Sequence, residues 1–336
     1  MSLGKRLIET AGEPSIENFN IVTYTGNGST TGPVVTVGFK PDMIFIKRRD
    51  SADAWYVYDS TRSTSNPRTK ILLLNGDNAE LDNTAYYSVD FLSDGFQPKS
   101  SLSTATNASG GEYVAYCFKA NGGTTSTDSN GTVNSTVQAN TNLGFSIATT
   151  TNNSGSNQTF GHGLGTTPEW IIRKKTSAAL NWTNYFTVLD GSLDYMNFNT
   201  TTAKDNSGYP LPTSTVFTVP TNGTWIFYSF VSISGKTKFG TYTSNATTKI
   251  NTGFQPDFFI FKYLGSGDWY VQDKTQSESV TGIHGGDLIK KYYVINSSAA
   301  ENSVSTGGVE IMSDGFYPTN WFDTTNGVFY WAMKIF

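Results

Sequence analysis

The sequence predicts an all-β protein: three tandem β-sandwich, jelly-roll-like domains behind a short N-terminal arm. Three observations lead there. One pattern occurs three times, the composition suits strands and turns better than helices, and short apolar runs are punctuated by Gly, Pro, Asn and Asp. The first copy reads Gly38-Phe39-Lys40-Pro41-Asp42-Met43-Ile44-Phe45-Ile46-Lys47 and the third Gly253-Phe254-Gln255-Pro256-Asp257-Phe258-Phe259-Ile260-Phe261-Lys262. The second is worn, from Gly163 through Pro168-Glu169-Trp170-Ile171-Ile172-Arg173-Lys174. Intervals of about a hundred residues are too long for a solenoid and fit one small domain per copy.

Other landmarks keep the same order. Thr23-Tyr24-Thr25 matches Thr241-Tyr242-Thr243, and Trp55-Tyr56-Val57-Tyr58-Asp59 matches Trp269-Tyr270-Val271-Gln272-Asp273. The weaker counterpart in copy two is Tyr185-Phe186-Thr187-Val188-Leu189-Asp190. Leu74-Asn75, Phe198-Asn199 and Ile295-Asn296 recur next. Ser93-Asp94-Gly95-Phe96 pairs with Ser313-Asp314-Gly315-Phe316, and each copy closes on an aromatic run ending near Phe118, Phe230 and Met333.

Each element has a local reason. Pro fixes φ and Asp bonds its own backbone, so Gly-Phe-x-Pro-Asp is a turn with a strand just beyond it. Met43 to Ile46 and Phe258 to Phe261 are apolar on both faces, which suits a strand covered by a stacked sheet on one side and by a sheet or a neighbouring subunit on the other. The Asp-Gly pairs are hairpin turns, and the Pro after each Phe stops the next strand early. The resulting boundaries are an arm over 1–17, domains over 18–121, 143–234 and 235–336, and a Gly/Ser/Thr/Asn linker over 122–142. Thr132-Val133 and Thr136-Val137 alternate weakly, so part of that linker is open to pairing as an edge strand. The second junction, near Ser234-Gly235, is shorter and predicts a stiffer pair than the first. Leu3, Leu7 and Ile8 have helical spacing in the arm, which reads either as a frayed terminus or as a segment that orders on a neighbouring subunit.

Bulk properties narrow the function. The 336 residues carry 23 basic and 27 acidic side chains, net −4, with no basic excess for nucleic acid. No apolar run approaches the length of a membrane helix, so no membrane insertion is expected. The single cysteine, Cys117, lies in an aromatic strand and reads as a buried thiol; without disulfides, folding in a reducing cytoplasm is expected. No motif of hydrolases, phosphate loops or metal sites occurs, so neither an enzyme nor a cofactor nor a metal is expected. His162 and His284 fall at unrelated repeat positions and read as turn residues. The recurring Asp42, Asp59, Asp190, Asp257 and Asp273 read as strand-end caps, or else as sugar or Ca²⁺ contacts. On the second reading Trp55, Asp59, Trp269 and Asp273 are candidate glycan-binding residues.

The start at Thr23, the Gly-Phe-x-Pro-Asp strand, the Ser-Asp-Gly-Phe turn and the close Tyr113-Val114-Ala115-Tyr116-Cys117-Phe118-Lys119-Ala120 resemble a domain repeated in virion proteins of marine tailed phages, especially cyanophages and relatives infecting abundant ocean bacteria. In that family the close usually reads near Tyr-Val-Ala-Trp-Cys-Trp-Lys-Ala, and Tyr116 and Phe118 stand here for the two Trp. The resemblance implies a particle component, whether tail fibre, appendage or head decoration protein, folded in the host cytoplasm and released by lysis. It implies other virion proteins as partners, contacted through the arm residues Leu3, Leu7 and Ile8. A homo-oligomer, with a trimer favoured, is the expected assembly. A host surface glycan is the implied receptor class, bound by multivalent contact. The runner-up reading is a soluble carbohydrate-binding, lectin-like module.

Overall fold

The computed structural model describes residues 18–82, 88–99, 105–243, 247–277, 280–319 and 326–336. Strands dominate, and among these residues the single helical element is the 3-10 turn Lys274–Gln276. Each repeat is a two-layer sandwich with a large sheet and a smaller cover.

In the first domain the large sheet runs, in spatial order, Phe19–Thr25, Glu112–Phe118, Met43–Arg48, Trp55–Asp59, Lys70–Leu73 and Leu81–Asp82. Its cover is Val35–Thr36, Gly95–Lys99 and Ser88–Leu92. The third domain repeats this order with Thr237–Tyr242, Val328–Met333, Phe258–Tyr263, Trp269–Asp273, Lys291–Val294 and Asn302–Ser303, under a five-stranded cover. The second has the same core of Phe145–Asn152, Gly223–Phe230, Trp170–Lys175, Thr183–Phe186 and Asp194–Asn197, but its cover shrinks to the pair Gln158–Gly161 and Val216–Val219. The neighbouring strands pair antiparallel throughout.

The Asp-Gly turns are hairpins as read, with Leu92 opposite Gly95 and Met312 opposite Gly315. Glycine is needed because a third strand passes overhead. A Cβ on Gly95 would meet the Val35 carbonyl oxygen at 2.0 Å, and one on Gly315 the Ile250 oxygen at 2.1 Å.

Side chains alternate along each central strand, as the pleat requires. Ile44 and Ile46 point to the first domain's own cover, where Val35, Phe91 and Phe96 meet them. Met43 and Phe45 point the other way, into a cluster that belongs to no one domain. That cluster joins Phe19, Met43, Trp55, Tyr116 and Phe118 to Phe145, Trp170, Phe186 and Phe230 and to Phe239, Phe258, Trp269, Phe329 and Trp331. Rings touch across every boundary: Phe118 with Phe145 at 5.7 Å, Trp170 with Trp331 at 4.9 Å, and Tyr116 with Phe258 at 5.1 Å. The run that is apolar on both faces is therefore covered by its own second sheet and by the neighbouring domains of the same chain.

Two expectations are corrected. Residues 122–142 are not a free linker, because Ser126–Asp128 and Ser135–Asn140 form a hairpin that extends the second domain's large sheet. Gln138, in that hairpin, donates to Ser60 Oγ at 2.9 Å and Thr61 Oγ1 at 2.8 Å of the first domain. The first pair is thus not the looser one. All three domains close on each other in a ring, and the start of the first lies against the chain end, with Asn18 N donating to Phe336 O at 3.0 Å.

Because one interior serves three sandwiches, the chain should unfold in one transition. Trp331→Ala should lower that single midpoint by about 3–5 kcal/mol of stability, the usual cost of deleting a buried aromatic. Calorimetry resolving an independent unperturbed domain would contradict the shared core.

Candidate functional site

The structure places all four candidate glycan residues at the domain boundaries. Trp55 and Trp269 are buried, together with Trp182, which the register makes their counterpart. Each indole reaches one domain over and donates to a backbone carbonyl at the same strand position. Trp55 Nε1 bonds Val294 O at 3.1 Å, Trp182 Nε1 bonds Leu73 O at 2.8 Å, and Trp269 Nε1 bonds Asn197 O at 2.8 Å. First reaches third, second reaches first, third reaches second. The backbone two residues upstream follows suit, with Asp53 N, Leu180 N and Gly267 N each 2.8 Å from Ser298, Asp77 and Thr201 oxygens. Returning bonds run from Glu301 N to Arg49 O, Glu80 N to Thr176 O and Lys204 N to Leu264 O. The chain builds a pseudo-threefold ring from non-identical parts.

The recurring asparagines orient these tryptophans. Asn75, Asn199 and Asn296 each accept the Trp backbone N–H at 3.0 Å through the side-chain oxygen. The Trp-to-Asn spacing is thus a structural signature. In copy two, register pairs Trp170 with Phe186, so Phe186 holds the Asp59 position. Asp190 lies further on, in an exposed turn paired with Lys204. This corrects the match made from sequence, which aligned aromatics in a stretch with no Asp at the equivalent place.

Asp59 and Asp273 are buried caps with an added interdomain bond. Asp59 accepts from Thr61 N at 3.0 Å and Arg62 N at 2.8 Å, pairs with the Arg62 guanidinium, and accepts from Tyr228 Oη of the second domain at 2.7 Å. Asp273 caps the 3-10 turn through Thr275 N at 2.8 Å and accepts from Tyr116 Oη of the first domain at 2.6 Å. Burial holds the Asp273 carboxyl above its usual range and the Tyr116 and Tyr228 phenols well above theirs. At the third boundary the equivalent positions hold Trp331 and Phe186 in place of the tyrosine and the aspartate, and the Trp331 indole donates to Thr237 Oγ1 of its own domain at 2.9 Å. Neither Trp55, Asp59, Trp269 nor Asp273 has a face left for a sugar, and the glycan assignment to them is withdrawn. Leu3, Leu7 and Ile8 lie outside the described residues.

The acids of the Pro-acid turn have a further shared task. Asp42 accepts from Ala120 N, Glu169 from Ser232 N and Asp257 from Ile335 N, in each case two residues past the closing strand. Each acid thereby ties the chain leaving its domain back to the domain's first turn. Cys117 is buried in the first sandwich, and burial pushes its thiol well above the ordinary value.

Lys47, Lys174 and Lys262 complete the ring, buried at equivalent positions. Lys47 Nζ donates to Asp53 O at 2.9 Å and across the boundary to Ser298 O at 3.1 Å; Lys174 reaches Asp77 O at 2.8 Å; Lys262 bonds Gly265 O and Gly267 O. Burial pulls all three down to about 8. In the sequence these bases are the last member of the recurring pattern. Their recurrence after an apolar run was the available signal.

The sequence profile of the family described as Domain of unknown function (DUF7483) matches residues 16–113 and 99–328, and the chain belongs to that family. No curated protein and no solved structure matches it.

Asp59→Ala should cost about 3–5 kcal/mol, because Arg62 would keep a buried charge with one partner removed; an unchanged melting temperature would refute the capping role. The lysines set a pH window. Their folded values lie below the unfolded value of about 10.4, so between about pH 8 and 10 the unfolded chain binds more protons and stability rises with pH. Buried tyrosines act oppositely above about pH 10, where only the unfolded phenols ionise. Urea midpoints should therefore climb from pH 8, peak near 10 and then fall, and Lys262→Met should flatten the climb.

Proposed function

We propose that this DUF7483 protein is a structural and adhesive subunit of a bacteriophage particle, acting by multivalent contact. The observation that carries the reading is the fusion of three sandwiches into one body around a single aromatic interior. Such a body resists unfolding without disulfides, as a part exposed outside the cell requires. Each domain's large sheet takes the chain in and sends it out at the same end, where Asn140 Nδ2 bonds both Asn18 Oδ1 at 2.8 Å and Lys119 O at 3.0 Å. The opposite ends carry the loops around 49–54, 176–181 and 264–268. An attachment point at one end and three loop sets at the other supports display on a head or tail. The motif resemblance to marine tailed-phage virion proteins supports the same assignment.

The described residues begin at Asn18, which lies beside Phe336, and residues 1–17 are, in this proposal, the arm that docks on other virion proteins. The assembly proposed for it is a homo-oligomer, with a trimer favoured, built from copies of this three-domain body. Self-association in the particle would then add further copies around this body.

Gold-labelled antibody imaging of intact particles tests the proposal. Label on tail, fibre or head is expected and identifies the location, and particles assembled with a chain lacking residues 1–17 should carry none. Complete absence of label from wild-type particles would overturn the assignment in favour of a free lectin-like protein.

A further inference from the structure

The second domain departs from its siblings at one place, and the departure opens a cavity. Where the first domain has Ile46 and the third Phe261, both buried under their covers, the register puts Arg173. The cover there is also the two-stranded one, against three strands and five in the other domains. A guanidinium has replaced a core hydrocarbon, and the layer that would have sealed it is cut back.

The result is a cavity of about 290 Å³ that opens broadly to solvent, lined chiefly by Arg173, Thr183, Tyr185, Tyr195, Ser207 and Tyr209. Arg173 is 8% exposed, and no carboxylate pairs with it among the described residues. Nη2 donates to Thr183 Oγ1 at 3.0 Å and the Tyr185 hydroxyl interacts with the guanidinium, while Nε and Nη1, buried between the rings, have no hydrogen-bond partner. Its guanidinium carbon lies 5.1 Å from the Tyr185 ring and 5.1 Å from the Trp225 ring, and the Trp225 indole N–H is likewise without a partner. The nearest acid on the rim strand, Asp205, turns its Oδ1 to Asn206 N at 2.8 Å. Stacking between rings offsets part of the desolvation cost of the cation. It supplies no hydrogen bonds and no counter-charge, which a buried guanidinium ordinarily has.

We propose that this cavity binds a carboxylate-bearing sugar residue. The charge left without a counter-ion at the cavity floor calls for a small anion. The remaining lining suits a pyranose: the half-buried Tyr195 and Tyr209 rings, with centroids 6.5 and 6.0 Å from the buried Tyr185, offer apolar surface to C–H groups. Thr183, Ser207 and Asn206 offer hydroxyl and amide partners for ring hydroxyls. The volume sits at the small end of ligand cavities, which start at about 300 Å³, and accommodates one ring. A guanidinium holds phosphate and sulfate as readily as carboxylate, and the tyrosine surface beside it favours a carboxylate carried on a sugar ring over a bare inorganic anion. The inference deepens the adhesive half of the proposed function and gives it a ligand class.

Titration of the purified full chain with methyl β-D-glucuronide, with methyl β-D-glucoside as the uncharged control, tests it by tyrosine and tryptophan fluorescence. Saturable glucuronide binding with a Kd of about 1 mM, and glucoside at least about tenfold weaker, is expected. Arg173→Leu should abolish glucuronide binding while keeping the melting temperature. If that variant fails to fold, Tyr209→Ala on the rim should weaken binding about fivefold at wild-type stability. Absence of saturable glucuronide binding, equal affinity for the glucoside, or unchanged affinity in the variant that folds would each overturn the proposal. Particle labelling and sugar binding are read on separate samples, so failure of one leaves the other decided on its own result.

Discussion

An aromatic interior that no single domain can enclose is the constraint on which the rest of this structure depends. Each sandwich buries one face of its large sheet under its own cover. The other face, with Trp55, Tyr116 and Phe118 in the first domain, stays apolar and finds cover only in the other two. Burying a large aromatic side chain contributes about 1.5–3 kcal/mol. A cluster of more than a dozen rings therefore outweighs any reason for the domains to separate. The repeat exists three times because three wedges close the ring.

Polar groups that close the ring had to be satisfied inside it. The three tryptophan indoles reach a neighbouring carbonyl, the three lysines bond backbone oxygens, and two tyrosines bond two buried aspartates. Those that cross a boundary, from the indoles, the tyrosines, Lys47 and Lys174, fix rotation and register between the domains, which hydrocarbon contact alone leaves loose. Where the third boundary exchanged tyrosine for Trp331 and aspartate for Phe186, both partners changed together. A tyrosine kept opposite Phe186 would have lost the carboxylate that its counterparts bond.

Divergence is concentrated in the second domain, and it has two physical faces. Its added hairpin over 126–140 extends the sheet toward the first domain and ties them through Gln138. Its thinned cover and Arg173 open a polar cavity where the siblings keep a sealed core. A ring of three gives such a copy freedom to change on its outer side, because the inward face alone is held by the other two.

Strand positions, hairpins and the repeat were legible in the sequence because they rest on local chemistry. Asp-Gly turns, Pro-fixed turns and runs apolar on both faces act within a few residues, and the structure keeps them. The buried fate of Cys117 and the capping role of Asp59 were readable for the same reason. What lay beyond the sequence was which surface faces which. Trp55 and Asp59 look alike whether a sugar or a neighbouring domain covers them, since both demand a flat ring and a hydrogen-bond acceptor. The Gly- and Thr-rich stretch over 122–142 reads as a linker until an adjacent strand offers it a partner. Arg173 reads as one base after an apolar run, and only the register that sets it against Ile46 and Phe261 marks it as a cation in a core position. Local turns and strands are determined by neighbours in the chain; the covering of faces is determined by residues a hundred or more positions away, and only the closed ring decides it.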